Sequence, residues 1–199
     1  MRILTIVIAV LITSLASVET SATTLTPPET AYSATRVVTT AGMTISGNVY
    51  YDHGKERWET TMQGMQQVSL LLPGEKKILL YMPEMNVALE MGAGDVDDYG
   101  IGEIYDEGIE AEELGEEMVE GEQTTKYRID RPQNTATIFV WVTGDGIPMK
   151  AEGAGPDGSF SMQLTDLVRG PQDSALFSLP DNVVTTTMPA GMPPLGLPR

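Results

Sequence analysis

The chain has 199 residues, with 12 basic and 28 acidic side chains for a net charge of −16, one histidine and no cysteine. That length gives one domain with a sizeable core. The missing cysteines exclude a disulfide framework, thiol chemistry and acylation through a lipobox, and so few basic residues exclude a surface for nucleic acid or for an anionic membrane.

Met1-Arg2 followed by apolar Ile3 to Ile12 and then Thr13 to Ala22 has the basic start, short apolar core and small-residue end of a secretory signal. The apolar core is too short to span a bilayer comfortably. Cleavage is expected after Ala22, with Ala16 as second choice; an uncleaved N-terminal anchor is the alternative. The expected location is the periplasm, with no stable membrane anchor once residues 1–22 are removed. Residues 23–30 read as a Thr/Pro linker, 31–182 as the domain, and 183–199, rich in Thr, Met, Pro and Gly, as a disordered tail.

Ala31 to Thr40 reads as a first strand, rich in Thr and Val. From Met43 to Asp52 residues alternate strictly, with Met43, Ile45, Gly47, Val49 and Tyr51 on one face, which is the period of a half-buried antiparallel strand. His53-Gly54 supplies a turn into Lys55 to Gln63, Gly64 precedes Met65 to Leu72, Pro73-Gly74-Glu75 turns into Lys77 to Met82, and Pro83-Glu84 leads to Asn86 to Met91. Short strands at this spacing, with no helical stretch between them, predict a meander and an antiparallel sheet.

Past Met91 the texture changes. No Lys or Arg occurs between Lys77 and Lys126, and Asp95 to Glu122 holds thirteen of the 28 acidic residues. Ile101, Ile104, Tyr105, Ile109, Leu114 and Met118 recur there at spacings of three to five, which predicts two short amphipathic helices broken at Gly108 and Gly115. Strands resume with Glu116 to Glu120, Gln123 to Ile129 and Thr135 to Thr143. In the last, Ile138 to Val142 is apolar on both faces and is expected to be covered on both sides. Pro148 to Glu152 and Phe160 to Leu167 follow, and Leu176 and Phe177 anchor a closing segment.

Four local patterns carry a resemblance: Gly47-Asn48-Val49-Tyr50-Tyr51 leading to Lys55-Glu56-Arg57-Trp58-Glu59; Leu114-Gly115-Glu116-Glu117 with Gly121 and Lys126-Tyr127-Arg128; Val140-Trp141-Val142 with Gly146-Ile147-Pro148-Met149-Lys150; and Leu176-Phe177-Ser178-Leu179-Pro180. In order and spacing they resemble the LolA-like superfamily, above all its uncharacterised domain-of-unknown-function members. The resemblance implies a mainly β (α+β) fold, an open antiparallel half barrel of about ten strands with a short helical lid. It also implies a hydrophobic cradle, since members with known roles carry or receive acylated lipoproteins or lipids. This chain departs from the carriers in its acidic lid segment and from the anchored receptors in lacking cysteine, so only the fold and the cavity carry over.

Catalysis has little to work with. His53 lies in a turn, and no Gly-x-Ser-x-Gly, phosphate loop or His-Glu-x-x-His occurs, so no enzyme and no cofactor is expected. Asp95 to Gly100 misfits a calcium loop, because Tyr99 takes a ligand position and the twelfth residue is Asp106; no metal site is assigned. Met62/Met65 and Met82/Met85, with Met188 and Met192, leave a thioether copper site as a third reading beside adaptable core packing. The cavity candidates, whose alternative is ordinary core, are Val49, Tyr51, Val68, Leu70, Leu80, Met82, Tyr127, Val140, Met149 and Met162. Ile101, Ile104, Tyr105 and Ile109 form the candidate lid.

The expected function is thus a non-catalytic periplasmic protein that holds a lipid, acyl chain or lipoprotein. The alternative is an envelope interaction module with a self-filled core, whose acidic face docks a basic protein partner.

Overall fold

The computed structural model describes residues 22–40, 42–75, 77–92, 104–105, 109–131, 136–155 and 158–187. Their strands are β1 (Ala22–Thr23), β2 (Tyr32–Thr40), β3 (Met43–Asp52), β4 (Lys55–Met62), β5 (Met65–Leu72), β6 (Lys77–Met82), β7 (Val87–Gly92), β8 (Ala111–Val119), β9 (Glu122–Arg131), β10 (Ala136–Thr143), β11 (Pro148–Gly155), β12 (Gly158–Arg169) and β13 (Val184–Thr187).

All thirteen belong to one open sheet in the order β1-β8-β9-β10-β11-β12-β2-β3-β4-β5-β6-β7-β13. The meander predicted from the sequence, β2 to β7, and a second one, β8 to β12, are joined where β12 pairs with β2. Three features differ from expectation. The sheet has thirteen strands, not about ten. It is mixed, because β13 runs parallel to β7. Among the described residues there is no α-helix, only 3-10 turns such as Pro73–Glu75, Pro83–Met85 and Ser174–Phe177.

The stretch before Gly115 predicted as the second lid helix is instead the first half of strand β8, whose second half is the predicted strand from Glu116. Its apolar residues recur every three or four positions, but Gly115, at φ +121, introduces a bulge between Glu113 and Gly115 that reproduces such spacing in a strand. Leu114 and Met118 consequently lie exposed. Val184–Thr187, expected to be tail, forms the terminal strand of the sheet. The Thr/Pro stretch read as a linker also packs: Leu25 is buried in the core, and Tyr51 Oη donates to the Pro28 carbonyl at 3.2 Å. Gly146, at φ +87, lies so close to Pro27 and Pro28 that a Cβ there would sit 3.1 Å from Pro28 Cα.

Register assigns every side chain to one of two faces, because directly paired residues share a side. The inner face carries Val140, Ala151, Met162, Val38 and Ile45 in successive cross-strand pairs, with Ile129 opposite Ile138 and Val49 on the same side of β3 as Ile45. The main core, which includes Tyr32, Val49, Ile129, Val140, Met149 and Leu164, is built chiefly from this face. A second core lies on the outer face, where Val68, Leu70, Leu72 and Leu79 pack against Phe177. Arg57 Nη1 donates to the Leu176 carbonyl at 2.9 Å, tying the closing segment across β4.

β10 is buried on both faces, as its apolar run predicts. Its outer cover comes from side chains of the same sheet. Lys126 and Lys150 lie 4.5 and 4.4 Å from the Trp141 ring centroid, and Trp141 Nε1 donates to Glu117 at 2.7 Å. The lysine stems shield the indole while their ammonium groups remain near water.

Candidate hydrophobic binding face

Following the register outward from the main core, Val49 pairs with Trp58, Trp58 with Ser69, Ser69 with Leu80 and Leu80 with Leu89. The inner face of β5 to β7 therefore presents Leu71, Ile78, Leu80, Met82, Val87, Leu89 and Met91. Only Leu80 and Met91 of these are buried, with Ile78 and Leu89 packed on them. This apolar strip is separate from the main core and is only partly covered.

The same register corrects two predicted cavity residues. Val68 and Leu70 point to the outer face, beneath Phe177, because β5 presents Gln67, Ser69 and Leu71 inward. β5 is apolar at Val68 and at Leu70 to Leu72 alike, so its own alternation does not distinguish the faces. Val49, Tyr51, Val140, Met149 and Met162 are brought together in the main core, with Tyr127 packed at its margin. Leu80 and Met82 lie apart from them, on the β5 to β7 strip. Of the predicted lid, Ile104 is buried in the main core and Tyr105 and Ile109 pack against it; Tyr105 Oη donates to the Gly146 carbonyl at 3.1 Å. Ile101 lies outside the described residues, as does the acidic loop from Asp95 to Gly100.

Between core and strip lies a polar cluster. Arg36 on β2 and Glu56 on β4 form a bidentate pair, Nη1 to Oε1 at 2.6 Å and Nη2 to Oε2 at 2.7 Å. Both face inward, although β3 separates their strands. Gly47 pairs with Arg36 on one side and Thr60 on the other, and a Cβ there would fall 1.9 Å from the Glu59 carbonyl oxygen. Trp58 lies 5.7 Å from the guanidinium, and Tyr32 stacks on Tyr51 at 5.2 Å. Burial opposes the charge of Arg36, but Glu56 outweighs it and holds the guanidinium protonated above its ordinary value. Burial, reinforced by the Glu56 carboxylate, raises the Tyr32 and Tyr105 phenols, so both stay neutral. Arg36 Nε and Trp58 Nε1 are buried without a hydrogen-bond partner. Sequence reading missed this cluster, since nothing local to Arg36 or Glu56 shows that residues twenty apart will meet.

Among the described residues, no three His, Asp or Glu side chains are grouped to hold a metal. Met62 and Met65 face each other across the β4–β5 hairpin, while Met149 and Met162 are core residues. His53 lies in the β3–β4 turn beside Asp52 and is exposed. Two shallow depressions of about 280 and 400 Å³ lie on the outer side and share Thr39, Glu152 and Ser161.

Solved structures share this architecture. An uncharacterized conserved protein from Thermus thermophilus superposes with a TM-score of 0.56 at 12% identity, over 80% of this chain and 91% of its own. MucB of Pseudomonas aeruginosa, solved in complex with MucA(peri), gives 0.51 at 15% identity over 81% of this chain. The fold is LolA-like. This chain spans only 58% of that MucB chain. The lipoprotein LppX of Mycobacterium tuberculosis also aligns, with a TM-score of 0.43 at 15% identity over 71% of this chain and 88% of its own. No protein-family model matches the sequence. No curated protein matches it. Among the described residues no helix is long and apolar enough to cross a membrane.

Proposed function

We propose that this LolA-like protein is a non-catalytic binding protein of the cell envelope, exported by its N-terminal signal, that holds a lipid, an acyl chain or the acyl part of a lipoprotein. The observation that carries the reading is the partly covered apolar strip of Leu71, Ile78, Leu80, Met82 and Leu89, set apart from the self-filled main core. Such a surface gains free energy when an alkyl chain covers it, at roughly 25 cal/mol per Å² of apolar area buried.

A second reading has its own support. The inner face of β8 to β12 is filled by its own side chains, as an interaction module requires, and MucB with the same fold is solved bound to MucA(peri).

The test is mass spectrometry of the mature chain from Thr23, purified from its native envelope without detergent, with native mass compared to denatured mass and bound lipid extracted. A stoichiometric lipid or acyl mass supports the carrier reading. An apo mass, with no binding on titration of fatty acids or acylated peptides, overturns it in favour of the interaction module. In a binding chain, Ile78→Ser with Met82→Ser lowers acyl affinity by about tenfold or more, the equivalent of about 1.4 kcal/mol.

A further inference from the structure

β8 is laddered with β9 along one side and nearly unpaired along the other. β1 covers only Glu112 and Ala111, opposite Ala22 and Thr23, and from Glu113 to Val119 the outer edge has no strand partner among the described residues. Signal cleavage after Ala22 would remove half of that cover. An open edge leaves alternate backbone N–H and C=O groups without a ladder and invites another strand.

Two further observations say what kind of strand fits. Leu114 is 46% and Met118 58% exposed, so apolar area remains to be covered beside the open backbone. Glu113, Glu116, Glu117 and Glu120 follow one another along the edge, and among the described residues none is ion-paired. Glu116 accepts from Gln123, Glu117 from Trp141 and Glu120 from Gln163, all neutral donors. These full negative charges oppose a second copy of β8, because two such edges would set like charges face to face. A strand carrying Lys or Arg gains from the same charges. The bulge at Gly115 limits regular pairing to the stretch beyond it, which ends at the turn of Glu120 and Gly121.

We propose that the free edge of β8 receives an extended segment of a partner protein, alternating basic and apolar residues, as an added strand. This site lies apart from the β5 to β7 strip and stands whether or not that strip binds an acyl chain.

The mature chain is titrated by fluorescence anisotropy with a labelled dodecapeptide of alternating Lys and Val, and with its Glu/Val counterpart. Two further Lys/Val peptides are N-methylated at every lysine or at every valine. Added strands bond through one set of alternate amides, so one methylated peptide loses about tenfold or more in affinity while the other keeps most of it. The Glu/Val peptide does not bind, and hydrogen exchange slows at residues 116–119 in the complex. Glu113→Gln with Glu116→Gln weakens binding at low salt, with Tm unchanged. Failure of the Lys/Val peptide to bind overturns the proposal. So does equal binding of both methylated peptides without slowed exchange at β8, which would mark simple ion attraction.

Discussion

Removing the carboxylate of Glu56 leaves a guanidinium that is only 9% exposed with no anion to neutralise it. The native pair is bidentate, at 2.6 and 2.7 Å, and the Trp58 ring lies 5.7 Å from the guanidinium. Breaking a buried pair by deleting one partner costs about 3–5 kcal/mol. Glu56 keeps some contact with water, its side chain being 24% exposed, so Glu56→Ala is expected near the lower end, about 3 kcal/mol. With a urea m-value of about 2 kcal/mol/M the unfolding midpoint falls by about 1.5 M. The matched control is Arg36→Met with Glu56→Leu, which removes both charges and keeps the volume; such replacements are often neutral or stabilising. Urea unfolding followed by fluorescence and by circular dichroism gives both numbers. If the double variant is destabilised as much as Glu56→Ala, the cost lies in shape, and the argument from an unpaired buried charge is wrong.

Gly47→Ala drives a Cβ to within 1.9 Å of the Glu59 carbonyl, and overpacking of this kind costs about 1–3 kcal/mol; calorimetry is expected to show a Tm lower by about 2–12 °C. Leu70→Ala empties a fully buried site under Phe177, with a loss of about 2–5 kcal/mol, while acyl affinity stays unchanged because Leu70 faces outward. Arg169 bonds Asp145 at 2.8 Å and, with help from Thr143 Oγ1, lowers its carboxyl to about 2, and it also lowers Glu122. A lowered carboxyl stabilises the fold above its unfolded value, and that contribution is lost as pH falls from about 4 towards 2. Arg169→Gln flattens this acid limb, by less than about 1 kcal/mol since the cluster is largely open to water. An unchanged pH dependence of Tm in the variant would refute the assignment.

Local chemistry by itself determined the meander. Strict alternation from Met43 to Asp52, the His53-Gly54 and Pro73-Gly74-Glu75 turns and the doubly apolar Ile138 to Val142 act over a few residues, so they are legible without a partner in view. The order of the quoted patterns from Gly47 to Pro180 likewise pointed to a LolA-like fold. Tertiary structure decided what depends on pairing. In β5 apolar residues stand on both faces, so only the pairing of Trp58 with Ser69 sends Val68 and Leu70 outward. In β8 a single bulge imitates helical spacing, and only its ladder with β9 makes it a strand. Val184–Thr187 carries no pattern of its own and is a strand because β7 offers a free edge. The Arg36–Glu56 pair exists because register on either side of β3 sets both side chains on the same face. A face, an edge and an ion pair are relations between segments, and their free energy arises only when the segments meet.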